Sequence, residues 1–331
     1  MNLATTYMGL TLPHPLVVGA GPLTEDLGIV RQLEDEGAAA LVLSSLYEEE
    51  FISDHVSAFI SPPNGDSSSK ATSFLPDSEV TSRPDEYLNH LRSVKQAVNV
   101  PVIASLNAST LGGWISYARL IEQAGANAIE LQLYHSASDP NVCAAEAERQ
   151  MIQIVKQVKE ELRIPVAVKL SPLFTAFANF AMQVDAAGAD GIVLFTRFYK
   201  IDFNVVELKV FRRVELSSSS DLDLRLRGAA VLSGRVKASL GITGGIHTAL
   251  DVIKATMAGA HIVQVVSTLM RYGPRCLRNI RTELRAWMLA NEWESLEELR
   301  GIMSFQKIPD PANYERETFR RMFGSLLDKT Y

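Results

Sequence analysis

Cysteine is nearly missing: Cys143 and Cys276 are the whole supply in 331 residues. Two thiols are too few for a disulfide framework, a cysteine-based metal site or an iron–sulfur cluster within this chain. Positive charge is not in excess either. Lys and Arg number 32 against 38 Asp and Glu, a balance of 32 − 38 = −6. Nucleic acid and anionic membranes call for a concentrated basic face, which this balance does not suggest. No apolar run approaches the roughly 20 residues of a membrane span. The opening "MNLATTYMGLTLPHPL" has no basic segment followed by an apolar core, so it does not read as a signal peptide. The expectation is a cytoplasmic globular protein with no metal site, no nucleic-acid partner and no membrane. Apolar residues make up 47% of the chain, enough for a sizeable core.

What is present is a repeating alternation. Eight short apolar runs are separated by helical periods: "LVVGAG" (Leu16–Gly21), "ALVLSS" (Ala40–Ser45), "PVIASLN" (Pro101–Asn107), "AIELQLY" (Ala128–Tyr134), "VAVKLSP" (Val166–Pro172), "GIVLFTR" (Gly191–Arg197), "GITGGI" (Gly241–Ile246) and "HIVQVVS" (His261–Ser267). Continuously apolar runs of this length read as strands buried on both faces. Four of the helical segments end in "DEGAAA", "EQAGANA", "DAAGADG" and "TMAGAHI", where a glycine suits a left-handed cap. Eight such units indicate an α/β fold of the closed (β/α)8 (TIM) barrel type, with a doubly wound open sheet as the alternative. Two connections are long: Leu46–Pro84 after the second run and Phe198–Asp221 after the sixth, the latter alternating as a small hairpin would. The expected organisation is a barrel over residues 1–290 and a helical extension over 291–331.

Both long connections follow strands, so they belong to the C-terminal face of the barrel, where active sites of this fold sit. Gly244 and Gly245 end the seventh run, and Ser267 and Thr268 end the eighth. Small residues at these neighbouring ends form the usual phosphate site of such barrels, although a tight turn alone would also want Gly244 and Gly245. Lys169 lies inside a strand buried on both faces, which is costly unless it is paired or binds a ligand. Glu130, in the fourth run, is the carboxylate it could pair with. Ala20 and Gly21 offer open backbone after the first run. Asn107, Gln132 and Thr196 close the third, fourth and sixth, and can hydrogen-bond a planar heterocycle or simply satisfy loop backbone.

The runs "TTYMGLTLPHPLVVGAGPLT", "VAVKLSP" and "GGIHTALDVIKATMAGAHIVQVVSTLMRYGP" together resemble the dihydroorotate dehydrogenase family, the FMN-dependent barrels of pyrimidine biosynthesis. The resemblance implies one FMN, its phosphate held by Gly244, Gly245, Ser267 and Thr268. It places Ala20, Gly21 and Lys169 against the isoalloxazine, with Asn107 and Gln132 nearby. It also marks departures. Ser44, followed by Ser45, stands where the family has a flavin-contacting lysine, and Thr196 stands for an expected asparagine. Gln132 replaces the asparagine of an Asn-Leu-Ser-Cys-Pro-Asn segment, here "QLYHSASDPN". The position of the general base then falls on His135 or Asp139, depending on where the gap is placed. A base works best with a pKa near the working pH, which favours His135.

The cofactor half of the site thus matches the family better than the substrate half. The expected function is an FMN-dependent oxidoreductase acting on the CH–CH bond of dihydroorotate or a related cyclic amide, with Lys169 and His135 or Asp139 catalytic. Two alternatives stay open: a flavin-free barrel enzyme for a phosphorylated metabolite, in which Lys169 forms a Schiff base, and a catalytically silent flavin-binding protein. A small-molecule substrate and an unidentified electron acceptor are the expected partners. A partner redox protein is one candidate for the acceptor, and a homodimer is an open option.

Overall fold

In the computed structural model the described residues are 1–48, 84–133, 139–197, 200–213 and 215–327. Twelve strands appear among them. β1 (Thr5–Tyr7) and β2 (Leu10–Leu12) form an antiparallel hairpin. Then come β3 (Leu16–Val18), β4 (Leu41–Tyr47), β5 (Val102–Asn107), β6 (Ala128–Gln132), β7 (Val166–Leu170) and β8 (Gly191–Leu194). β9 (Lys200–Asn204) and β10 (Lys209–Arg213) form a second hairpin, followed by β11 (Ser239–Thr243) and β12 (Ile262–Val265). The order β3-β4-β5-β6-β7-β8-β11-β12 closes on itself, every pair parallel. This is the (β/α)8 barrel expected from the alternation, and each expected run overlaps one of its strands, with β4 extending two residues past its run and β11 starting two residues before its own. The open sheet is excluded, because β12 pairs with β3.

Helices wrap the outside. α1 (Leu27–Asp35), α2 (Pro84–Ala97), α3 (Leu111–Gln123), α4 (Ala144–Glu161), α5 (Phe177–Ala186), α6 (Asp223–Leu232) and α7 (Ala249–Ala258) each connect or flank barrel strands. The four glycines expected at helix ends, Gly37, Gly125, Gly188 and Gly259, all adopt positive φ, at 93°, 94°, 101° and 118°. That is the left-handed turn that returns the chain to the barrel. After β12 come α8 (Ser267–Tyr272), α9 (Cys276–Ala290), α10 (Leu296–Leu299) and α11 (Pro311–Leu327). Arg227 on α6 grips Glu315 on α11 through two hydrogen bonds of 2.7 and 2.9 Å. No described helix is long and apolar enough to cross a membrane.

Side-chain alternation splits each strand between two cores. Leu41, Leu43, Val102, Ile129, Val166, Val168, Ile192 and Val263 face outward to the helices. Val17, Val42, Ile103, Ala128, Ala167, Val193 and Ile262 face the barrel axis. Tyr7, Met8 and Leu12 from the first hairpin join that inner cluster. Ala128 and Ala167 are small, and a Cβ on Gly191 would come within 3.0 Å of Met8. These positions make the room in which the hairpin plugs the barrel. Its turn is Met8–Gly9, with φ of 52° and 77°. A turn with both central residues at positive φ is usually signalled by Asn-Gly. Here Met8 holds the first position and sends its side chain into the plug.

Candidate active site

Above this plug the inward side chains become polar. The two-residue step that turns Ala128, Ala167 and Ile262 inward does the same for Glu130, Lys169 and Gln264 one layer higher. Lys169 Nζ lies 2.6 Å from Glu130 Oε1, and Gln264 Nε2 donates to Glu130 Oε2 at 2.5 Å. Lys169 is 6% exposed and the other two 1%. A cavity of about 560 Å3 opens over them at the C-terminal strand ends, with Lys169 and Gln264 in its floor. Lys169 is therefore paired with a core carboxylate and also lines a cavity of ligand size.

One wall is the turn after β3. Ala20 and Gly21 line it, and the Gly21 carbonyl accepts from Thr24 Oγ1 and Ser44 Oγ, each at 2.9 Å. Ser44 Oγ also sits 2.8 Å from Glu25 Oε1. Ser45 Oγ is 2.7 Å from Ser105 Oγ and donates to Gln132 Oε1 at 3.3 Å. Thr196 lines the cavity with its Oγ1 buried and without a hydrogen-bond partner among the described residues. Phe195, Leu216, Val266 and Met270 supply apolar wall, and Arg197 and Glu215 reach it from the two ends of the segment that carries the β9–β10 hairpin.

The opposite wall joins the ends of β11 and β12. Gly245 N donates to Ser217 Oγ at 3.2 Å, and Ser217 N donates to Ser267 Oγ at 2.9 Å. Ser217 Oγ lies 3.3 Å from His247 Nε2, and His247 Nδ1 lies 2.9 Å from Thr268 Oγ1. Burial, then the Arg271 guanidinium, hold the His247 imidazole below its usual pKa. Gly244 and Gly245 have φ of 85° and 83°; a Cβ on Gly245 would meet Leu222 N at 2.6 Å, and one on Gly244 the Arg225 guanidinium at 3.0 Å. Packing of the turn thus demands both glycines in its own right. Asp251 Oδ2 accepts from the amides of His247 and Thr248, the two residues that precede α7, and from Ser219 Oγ, so the chain's own carboxylate closes a capping box at this helix start.

Of the expected site residues, Ala20, Gly21, Ser44, Ser45, Gln132, Lys169, Thr196, Gly244 and Ser267 meet around this one cavity. Asn107, Gly245 and Thr268 are not among its lining residues. Thr268 is buried and donates to the Ile246 carbonyl, and Asn107 accepts from Glu48 N through its own carbonyl at 3.0 Å. Asp139 lies away from the cavity lining, exposed, with its Oδ1 accepting from Asn141 N and Nδ2 at 2.9 Å. His135 lies outside the described residues. Ser217 and Gln264 were not singled out from sequence. Gln264 carries the signal that flagged Lys169, a polar residue in a doubly buried strand, whereas Ser217 is one serine in a run of four. A larger groove of about 730 Å3 lies where α11 meets α6 and α7, lined by Leu226, Met257 and Phe319, and takes in none of the expected residues.

The sequence profile of dihydroorotate dehydrogenase matches residues 80–288. The chain belongs to the dihydroorotate dehydrogenase family. Among its relatives is the catalytic subunit of dihydroorotate dehydrogenase B (NAD(+)) of Thermoplasma acidophilum, 26% identical over 314 residues, covering 91% of this chain and 98% of the relative. The corresponding subunit of Shouchella clausii is 30% identical over 215 residues, covering 61% of this chain and 68% of the relative. The NAD-dependent dihydropyrimidine dehydrogenase subunit PreA of Escherichia coli is 23% identical over 331 residues, covering 93% of this chain and 78% of the relative. The named relatives are dehydrogenases, and each is described as a subunit. The family match extends from α2 to α9 and so includes Glu130, Lys169, Gln264 and the β11–β12 wall.

Proposed function

We propose that the chain is an FMN-dependent dehydrogenase that oxidises a CH–CH bond of dihydroorotate or a related cyclic amide. The observation that carries this reading is the buried Lys169, held by Glu130 at the floor of a cavity on the C-terminal mouth of a barrel of this family. The residues present fit FMN. Ala20 and Gly21 offer bare backbone for a flat ring, Lys169 offers a cation to its polar edge, and Ser217, Gly244 and Ser267, which line the cavity, offer hydroxyls and backbone for a phosphate, with Gly245 and Thr268 bracing that wall. FMN, when bound, supplies the hydride acceptor.

The chain's own side chains then have three tasks. Gln132 and Thr196 orient the substrate ring by hydrogen bonds, and Phe195, Leu216 and Met270 keep water from it. A base takes the proton from the carbon next to the one that loses hydride; His135 has the suitable side-chain chemistry, with Asp139 as the second candidate. Electrons leave to an acceptor outside this chain, in keeping with relatives described as catalytic subunits. Schiff-base chemistry is disfavoured because Lys169 Nζ is engaged with Glu130 rather than free to attack a carbonyl.

The test is direct. Purified protein should show a flavin absorption spectrum or acquire one with FMN, and the flavin should be bleached by a dihydropyrimidine donor. Gln132 and Thr196 stand where the family has ring-clamping asparagines and differ from them in reach, so each hydrogen bond to the ring that they fail to match costs about 1–3 kcal/mol. Dihydroorotate turnover is therefore expected to be weak. A protein that takes up no FMN refutes the reading, and efficient dihydroorotate turnover refutes the weakened substrate site.

A further inference from the structure

Gln264 Oε1 is buried and has no hydrogen-bond partner among the described residues, although Gln264 lines the cavity. The direction of this amide is fixed by chemistry. A carboxylate oxygen can only accept, so the atom 2.5 Å from Glu130 Oε2 must be the amide nitrogen. Turning the amide over would bring two oxygens together at that separation. The other oxygen of the same carboxylate holds Lys169 Nζ at 2.6 Å. Glu130 thus sets two neighbours at once, a cationic donor and an amide acceptor, and both belong to the cavity lining. Gln264 Oε1 stands beside Gly19, where a Cβ would approach it to 3.2 Å, next to the bare backbone of Ala20 and Gly21. A dry acceptor in this position is costly, so the floor is built for an N–H that arrives with the ligand.

We propose that Gln264 Oε1 and Lys169 Nζ together read a lactam edge of the bound ligand, Gln264 accepting from its N–H and Lys169 donating to its C=O. Glu130 is the positioning residue for both. The inference rests on the function proposed above, since both FMN and a dihydropyrimidine carry this edge. A phosphorylated sugar carries none.

The test compares ligands that differ only at the N–H. Dissociation constants for FMN and 3-methyl-FMN are measured by flavin fluorescence. Those for orotate and its N-methyl derivatives are measured by thermal shift, with and without FMN. If the flavin supplies the edge, wild type discriminates against 3-methyl-FMN at least tenfold and Gln264→Ala, which leaves room for the methyl group, loses that discrimination. If the substrate supplies it, the collapse appears in the orotate series instead. Gln264→Met provides a bulkier variant should the alanine protein fold poorly, and its affinity for the unmethylated ligand should fall at least tenfold. Glu130→Gln, which frees the amide to turn over, should erode the same discrimination, and Glu130→Asp should restore part of it. Unchanged discrimination in both series on Gln264→Ala, with normal circular dichroism, overturns the proposal; a buried water would then satisfy Oε1. Failure to bind FMN at all sinks only the flavin reading, because the orotate series on flavin-free protein still decides the lactam edge.

Discussion

Removing one member of the Lys169–Glu130 pair should cost far more than removing both. The side chains are 8% and 1% exposed and 2.6 Å apart, so Lys169→Met leaves the Glu130 carboxylate buried with only the Gln264 amide for company. Breaking a buried pair on one side costs about 3–5 kcal/mol, whereas replacing both charges by neutral groups of similar shape is often close to neutral. Lys169→Met should therefore lose about 3–5 kcal/mol of unfolding free energy. At about 2 °C per kcal/mol for a chain of this size, that is a drop of roughly 6–10 °C in Tm. Adding Glu130→Gln should recover most of the loss, leaving the double variant within about 1–2 kcal/mol of wild type. Urea unfolding of flavin-free protein isolates this effect from any change in flavin affinity. A loss below about 1 kcal/mol for Lys169→Met, or a double variant as unstable as the sum of the singles, would refute the buried pair.

Two further expectations concern acid. Burial, reinforced by Arg281 beside one ring and Arg300 beside the other, lowers His14 and His261 to about 4. Between pH ~6.5 and ~4 the unfolded chain binds protons at these rings and the native chain does not, so stability should fall as pH drops through that window, by roughly 3 kcal/mol apiece when complete. Urea midpoints at pH 7 and pH 4.5 measure this, and His261→Gln should flatten the difference; an unchanged slope would refute it. Glu48, 6% exposed, accepts from the amides and hydroxyls of Ser109 and Thr110 and so ties the end of β4 to the start of α3. Burial raises its pKa, but these hydrogen bonds outweigh that and hold it below the usual carboxylate value. Glu48→Gln should cost about 2–3 kcal/mol at neutral pH, a difference that shrinks as pH falls through the folded pKa; equal stability of the two proteins at pH 7 would show the cap to be idle.

Barrel closure could be read from the sequence because its evidence is repeated eight times, in apolar runs and in glycine-ended helices. The plug could not. Three-residue strands carry too little pattern, and the Met8–Gly9 turn lacks the usual Asn-Gly mark. At the site, Lys169 and Glu130 announced themselves because ionisable residues in doubly buried strands demand an explanation. Gln264 makes a weaker form of the same demand, since an uncharged amide costs less to bury. Ser217 gave no signal: its role depends on a long segment folding back over Gly245 and Ser267, contacts separated by 28 and 50 residues. Thr268 and Gly245 are not among the residues that line the cavity, although their neighbours Ser267, Gly244 and Ile246 are. Strand-end position fixes which loop a residue joins, and side-chain direction within the turn decides the rest.

The two-residue strand period explains why the chemistry sits where it does. Ala128 and Glu130 share one strand, Ala167 and Lys169 the next, and Ile262 and Gln264 the eighth, each pair stepping from an apolar layer to a polar one along the same inward face. The lower layer must be small where the hairpin enters and sealed by Tyr7, Met8 and Leu12, or water would reach the ion pair from below. Met8 is therefore coupled to the site it never touches. A dry floor keeps the Glu130 carboxylate dependent on Lys169 and Gln264, and that dependence fixes the positions of two residues that line the cavity. A barrel with this polar layer but a wet floor would hold the same three residues with far less constraint on where they point.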